Sequence, residues 1–285
     1  MNKISIIIPV YNALDDLKLC IESIVCNVNF EYTSVLIIDD CSSSETKNYL
    51  KNLAHPKIKI IFNEQNLGFI KTCNKGLLDE SAEIYVLLNS DTIIPKNFCE
   101  KIIECFESDE NIGIASPISS HSSRYYILKP LNMSLDEINS KIEKIHNPKY
   151  PEIPSSEGFC FCIKKDTIDK IGVLDTIYGK GYHEEIDYSY RAIQNGIKCS
   201  LIDNLYVYHK NNVSFGSVLR RKQMEENSKI FKKRWGNFYK NWIKEHKHIN
   251  PIKKLRKEFF KDRFITRCEK AYIMNIFGRL FKIKL

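Results

Sequence analysis

Apolar residues along the first third of this chain come in short runs separated by stretches of helical spacing. Ile4-Ser5-Ile6-Ile7-Ile8 predicts a strand, Leu14 to Val25 a helix, and Val35-Leu36-Ile37-Ile38 a second strand. A helix from about Ser44 to Leu53 follows, then a strand at Ile58-Lys59-Ile60-Ile61 and a helix near Phe69 to Leu78. The next run, Ile84-Tyr85-Val86-Leu87-Leu88, is apolar at every position, as a strand buried on both faces would be. Asn97 to Phe106 predicts a helix and Ile112-Gly113-Ile114-Ala115 a further strand. Repeated crossovers of this kind specify an α/β fold with a mostly parallel sheet flanked by helices.

Regularity fails between Ser116 and Pro154, apart from a polar helix pattern around Leu135 to Ile145, so this stretch is expected to be an insertion at a substrate rim. Phe159-Cys160-Phe161-Cys162-Ile163 restarts the sheet, Asp187 to Gln194 predicts a helix, and Leu205-Tyr206-Val207-Tyr208 another strand. Beyond His209 the pattern is helical and increasingly basic. The expected organisation is one half at 1–115 and a second at 116–216, with its insertion at 117–155. A helical extension with a basic tail completes the chain at 217–285.

Chemistry-bearing residues stand at the strand ends, where open α/β sheets bind ligands. The fourth strand runs into Asn89-Ser90-Asp91, placing a carboxylate where it can hold a divalent cation against a phosphate. Downstream stand His183-Glu184-Glu185-Ile186-Asp187, and His209 after another apolar strand. One half offers a metal ligand and the other a candidate base, a division that matches a metal-assisted transfer enzyme. The first strand ends Pro9-Val10-Tyr11-Asn12, without the glycine pattern of a dinucleotide fold, and no Gly-rich loop with a Lys-Ser/Thr pair follows. Asp39-Asp40 fits either a nucleoside contact or a wet strand end. Gly68 permits a tight turn and Asn66 is placed to cap the following helix, while Lys71 fits a solvated helix face. Arg191 is four residues after Asp187, the spacing of an intrahelical ion pair.

These pieces, in this order, resemble the family 2 glycosyltransferases, inverting nucleotide-sugar enzymes with a GT-A fold. The resemblance rests on Ile7–Asn12, Ile38–Ser42, Asn66-Leu67-Gly68-Phe69 with Asn74 and Gly76, and Leu88–Asp91. It continues through Glu157-Gly158, Gly179–Asp187, Arg191, Val207-Tyr208-His209 and Ser214-Phe215. It covers roughly residues 3–216, leaving out 117–155 and the tail, and implies a nucleotide-sugar-binding half at 1–115 and an acceptor-binding and catalytic half at 116–216. It implies donor contacts from Pro9, Val10, Tyr11, Asn12, Asp39, Asp40, Asn66, Gly68, Asn74, Asn89 and Ser90. The second aspartate, Asp40, would be directed at a pyrimidine ring. The family's Asp-x-Asp motif falls on Asn89-Ser90-Asp91, so Asp91 carries the main bond to Mg2+ or Mn2+, and His209 resembles a further metal ligand. The family's base falls on Glu185, where this chain has Glu for Asp, which leaves the division of roles between Glu184 and Glu185 open. The implied partners are a nucleoside diphosphate sugar, UDP-linked before dTDP-linked, and a glycan or lipid-linked glycan acceptor.

Composition narrows the setting. The chain's 285 residues include ten cysteines, scattered without zinc spacing, which suits a reducing cytoplasmic compartment. The first strand begins within a few residues of Met1, so no signal peptide is expected, and no segment has the apolar length of a spanning helix. The net charge of +8 sits in the tail, where residues 250–285 hold 11 Lys/Arg against 3 Asp/Glu. Positive charge confined to a tail argues against a nucleic-acid partner. Residues 251–285 interleave these cations with aromatic and aliphatic residues, fitting either an anionic membrane surface or a helix packed on the domain. A nucleotidyltransferase would also use carboxylates and Mg2+, but Pro9–Asn12 lacks its phosphate loop. A glycan-binding module without catalysis is the alternative from a different class.

Overall fold

A computed structural model describes residues 2–121, 124–210, 217–246 and 250–261. The chain opens with β1 (Asn2–Val10), α1 (Leu14–Asn27), β2 (Thr33–Asp39), α2 (Ser44–Lys51), β3 (Ile58–Phe62) and α3 (Phe69–Asp79). It continues through β4 (Ala82–Leu88), β5 (Thr92–Ile93), α4 (Phe98–Ser108), β6 (Ile112–Ser119) and α5 (Leu135–Ile145). Then come β7 (Cys160–Lys164), α6 (Lys165–Ile171), a 3-10 turn at Thr176–Tyr178, α7 (Glu184–Gln194), β8 (Lys198–His209), α8 (Ser217–His246) and α9 (Lys253–Lys261).

One eight-stranded sheet, ordered β3-β2-β1-β4-β7-β6-β8-β5, runs through both halves. Strands β3, β2, β1 and β4 pair in parallel, as do β6 and β8, whereas β7 runs antiparallel between β4 and β6. The sheet is therefore mixed but mostly parallel. Alternate residues of β1 face opposite layers: Ile7 joins a core with α3, α5, α7, α8 and α9, while Ile6 and Ile8 join one with α1, α2 and α4. Burial on both faces explains why the central strands read as unbroken apolar runs. Gly76 lets α3 approach β1 closely, since a β-carbon there would stand 2.5 Å from Ile7 Cγ2.

Inside the expected insertion, Ser134 and Glu137 form a reciprocal capping box that starts α5. Ile138 and Ile142 then pack in the core, and the Asn139 side chain exchanges two 2.9 Å hydrogen bonds with the Tyr206 backbone on β8. The stretch is thus built into the domain through α5. Helix α6 and the Thr176–Tyr178 turn were not legible in the hydrophobic pattern, and α7 starts at Glu184 rather than Asp187.

The first part of the basic tail packs on the domain. Ile252, Leu255 and Phe259 are buried, with Lys253, Lys254 and Lys257 exposed on the other side of α9. For residues 251–261 this favours the packed-helix alternative over a membrane surface; residues 262–285, and Ser214-Phe215, lie outside the described residues. Among the described residues no helix is long and apolar enough to cross a membrane.

Candidate active site

Most of the residues expected to contact a donor lie at the carboxyl ends of β1 and β2 and in the β3–α3 loop. Pro9 and Val10 lie within β1, and the Val10 carbonyl accepts the Asp40 N–H at 2.7 Å. Tyr11 is exposed, so its ring is free to meet a ligand. Asn12, at φ 61, ties the β1 and β2 ends together: its N–H donates to Ser42 Oγ and its Oδ1 accepts the Ser43 N–H, both at 2.8 Å. Asp39 is fully buried and accepts from the Ser42 N–H.

Asp40 organises the β3–α3 loop. Its Oδ1 accepts from Asn63 Nδ2 at 3.0 Å and from the Leu67 N–H at 2.8 Å, and its Oδ2 accepts the Gly68 N–H at 2.8 Å. A carboxylate offers about four lone-pair sites, so a base N–H would have to share Oδ2 with Gly68. Asn66 does not cap α3; Gly68 occupies the cap position. Asn66 instead donates to the Asp40 carbonyl and accepts from Lys180 Nζ at 2.9 Å. Gly68 has φ +83, and a β-carbon there would lie 2.8 Å from Lys180 Cα, so both conformation and space demand glycine. The Asn74 amide exchanges bonds of 2.8 and 3.0 Å with the Leu174 backbone. These bonds tie α3 to the segment before the Thr176–Tyr178 turn. Lys71 is exposed.

Asn89, Ser90 and Asp91 leave β4 in a turn closed by the Thr92 hydroxyl on the Asn89 carbonyl at 2.7 Å. Thr92 pairs with His209, which brings the His209 Nε2 to 3.3 Å from Asp91 Oδ1. The other ring nitrogen of His209 lies 3.1 Å from the His121 carbonyl, and the ring stacks on Phe159 at 5.0 Å. With Nδ1 turned to a carbonyl acceptor, Nε2 is the ring nitrogen available to a metal on the Asp91 side. Two cis ligands with bonds of about 2.1 Å stand roughly 3 Å apart, so this pair can share one cation. A carboxylate with an imidazole suits Mn2+ at least as well as Mg2+. Among the described residues no group of three His, Cys, Asp or Glu side chains forms a metal cage. The Asp91–His209 pair therefore fits a shared cation with its remaining positions left for other ligands.

Glu184 and Glu185 occupy the first turn of α7, entered through Tyr182 and His183 at φ 73 and 79. Being helical, the two side chains diverge. Glu184 is buried on the side of Cys73 of α3. Glu185 lies against Gly158, whose β-carbon would stand 3.5 Å from Glu185 Cγ. Oε2 of each is buried without a hydrogen-bond partner. Burial, followed by the charge of Glu185, holds Glu184 protonated well above the usual carboxylate range. Burial, with a further push from Glu157, raises Glu185 to about 7.

Asp187 anchors α7 to its neighbours instead. It is fully buried and accepts from Tyr178 Oη at 2.9 Å, Trp235 Nε1 at 2.7 Å and Arg191 Nε at 3.1 Å. Arg191 thus forms the expected ion pair and also donates to the Ile171 and Val173 carbonyls.

Three contributors escaped the sequence reading. His121 acts through its carbonyl, which carries no side-chain signal. Phe159 looked like strand core yet stacks on His209 and accepts the Asn89 N–H through its carbonyl at 2.9 Å. Asn227 of α8 donates to three carbonyls of the loop before α7, at long sequence separation.

A profile described as glycosyl transferase family 2 matches residues 5–172. This chain belongs to that family and has its GT-A-type fold. An uncharacterized glycosyltransferase of Haemophilus influenzae is 32% identical over 111 residues, covering 38% of this chain and 34% of the relative. A second relative from that organism is covered over 56% of its length, so the chain spans under two thirds of both. A Campylobacter jejuni protein named GalNAc(5)-diNAcBac-PP-undecaprenol beta-1,3-glucosyltransferase is 23% identical over 313 aligned positions, covering 100% of this chain and 98% of the relative. Among solved structures, GalNAc-T7 with UDP, GalNAc and Mn2+ superposes with a TM-score of 0.63 at 17% identity, covering 91% of this chain and 54% of that one.

Proposed function

We propose that this chain is a metal-dependent inverting glycosyltransferase that moves a sugar from a nucleoside diphosphate sugar to a hydroxyl of a glycan or lipid-linked glycan. The observation that carries the reading is the Asp91–His209 pair at 3.3 Å, joined to Glu185 through consecutive residues: Phe159 stacks on His209 and Gly158 abuts Glu185. Asp91 and His209 would hold Mg2+ or Mn2+ against the donor diphosphate, with Asn89 and Ser90 beside it. A cation at that point supplies Lewis-acid stabilisation of the leaving diphosphate. Glu185 takes the acceptor hydroxyl proton as the acceptor oxygen bonds to the anomeric carbon. The bond from that carbon to the diphosphate oxygen breaks, and its electron pair leaves with the nucleoside diphosphate. A single displacement inverts the anomeric centre. A base held near 7 has the proton affinity this step needs at neutral pH.

The donor is UDP-linked in this reading, with Tyr11 against the base and Asp40 Oδ2 accepting the ring N–H beside that of Gly68. The acceptor class is supported by the full-length alignment with the Campylobacter jejuni protein, whose name specifies an undecaprenol-linked glycan. Such an acceptor would bring the enzyme to the cytoplasmic face of a membrane, with residues 262–285 as the candidate contact to anionic lipid. Truncation after Lys261 should then lower co-sedimentation with anionic vesicles, and unchanged co-sedimentation would remove that segment as the anchor.

The reading is tested by following nucleoside diphosphate release from UDP-, dTDP-, GDP- and ADP-sugars, with Mn2+ or EDTA, with and without glycan acceptor. Metal-dependent, acceptor-stimulated release of UDP is expected. Preference for GDP would overturn the role given to Asp40. Pyrophosphate release from a nucleoside triphosphate would favour a nucleotidyltransferase, and glycan binding without turnover of any donor a binding module.

A further inference from the structure

The loop that delivers Glu184 and Glu185 is bent into an uncommon conformation. Gly179, Gly181, Tyr182 and His183 stand at φ 67, 142, 73 and 79. For Tyr182 and His183 this region costs on the order of 1 kcal/mol or more each, and such geometry persists only where surroundings enforce it. Within the loop itself, Gly179 N–H reaches the Thr176 carbonyl at 3.0 Å, and Gly181 N–H reaches that of Tyr178 only at 3.5 Å.

The enforcing contacts come from α8, which lies beyond the family match. Asn227 is buried, and its Nδ2 stands 2.9, 2.7 and 2.9 Å from the carbonyl oxygens of Tyr178, Gly181 and Tyr182. An amide nitrogen has two hydrogens, so three carbonyls share them and converge on one point. Gln223, one turn earlier on the same face, donates to the Tyr178 carbonyl at 3.2 Å. Helix α8 is itself fixed to α7 through Trp235 Nε1 on Asp187 at 2.7 Å. On its far side the loop meets the donor half, where the Lys180 carbonyl accepts the Phe69 N–H at 3.1 Å and Lys180 Nζ donates to Asn66.

We propose that Asn227 is a positioning residue: it gathers the Tyr178, Gly181 and Tyr182 carbonyls so that the strained loop presents Glu185 to the acceptor while remaining latched to the donor loop at Asn66 and Phe69. This rests on the reading of Glu185 as the base. Donor contacts stay in place without Asn227, because Asp40 holds Leu67 and Gly68 independently. Loosening the loop misplaces the base and admits water around it.

The test uses the full chain carrying Asn227→Ala or Asn227→Asp, the latter keeping the volume but replacing the donor with an acceptor. The expected result is a kcat about 10–100-fold lower, the penalty of misplacement by about an ångström, with UDP affinity within about twofold of wild type. The acid limb of the kcat profile should move to lower pH as Glu185 regains solvent. Amide exchange across 179–185 should accelerate while that of β1 and β4 stays unchanged. A kcat within twofold of wild type with an unmoved acid limb would overturn the proposal. So would exchange that quickens equally throughout the sheet, since that marks general destabilisation. Should Asn227→Ala fail to fold, Asn227→Asp decides by the same readouts. Absence of donor turnover by the wild type would instead defeat the transferase reading, and local exchange at 179–185 would still decide whether Asn227 holds the loop.

Discussion

Gly158 lies against Glu185, close enough that a β-carbon on the glycine would sit 3.5 Å from Glu185 Cγ. Its neighbour Phe159 stacks on His209, whose Nε2 faces Asp91. Two adjacent residues entering β7 thereby connect the candidate base to the candidate metal ligands. Because β7 is inserted antiparallel beside β4, its start meets the end of β4 where Asn89 and Asp91 emerge.

Asp91→Asn should keep the fold, because the carboxylate sits at a strand end outside the core, but should weaken metal binding and transfer together. Removing a ligand should cost at least the 10–100-fold typical of losing an outer partner of a metal site. Calorimetric titration of Mn2+ with UDP present, alongside steady-state rates, checks this. Metal affinity and rate both near wild type would remove Asp91 from the metal site.

Glu185 makes the stability of the protein depend on pH in a predictable direction. Its folded value of about 7 is above the reference of 4.5, with burial the main cause. Its favourable contribution is therefore full below the unfolded pKa near 4.5 and is lost as pH rises through about 7. Glu185→Gln removes that penalty, so its Tm relative to wild type should be higher at pH 8 than at pH 5 in metal-free buffer. Scanning calorimetry at the two values measures it, and an equal difference at both would refute the burial of an ionisable group there.

Much of this was written in the hydrophobic pattern. Strands β1 to β4 and the Leu135–Ile145 helix followed from apolar spacing, because burial on both sheet faces and on one helix face leaves periodic marks. The strand-end positions of Asp91 and His209 were legible because an apolar run that stops at a polar residue marks where a strand leaves the core. The antiparallel seating of β7 was not, since pairing direction leaves no mark on a short apolar run. Nor were the roles of Asn66 and Asn74: an asparagine beside a helix start looks like a cap, yet Asn66 bridges Asp40 and Lys180 while Asn74 binds Leu174. His121 contributes only a carbonyl, which no side chain reports.

Gly68→Ala should destabilise the protein by roughly 1–3 kcal/mol, the usual cost of a side chain at positive φ with a close backbone neighbour. The clash at Lys180 Cα should also loosen the contact between the two halves and weaken UDP binding. Urea unfolding and UDP calorimetry on the variant measure both effects. A variant as stable as wild type would mean that the loop is free to rearrange.

The most direct test compares single-turnover sugar transfer by wild type, Glu185→Gln and Glu184→Gln, with UDP and Mn2+ affinities measured on the same samples. Glu185→Gln is expected to bind donor and metal normally and to transfer about 10²–10⁴-fold more slowly, the usual worth of a general base. Glu184→Gln is expected to retain most of the single-turnover rate at saturating acceptor. Near-normal transfer by Glu185→Gln beside a severe defect in Glu184→Gln would contradict the assignment and hand the base to Glu184.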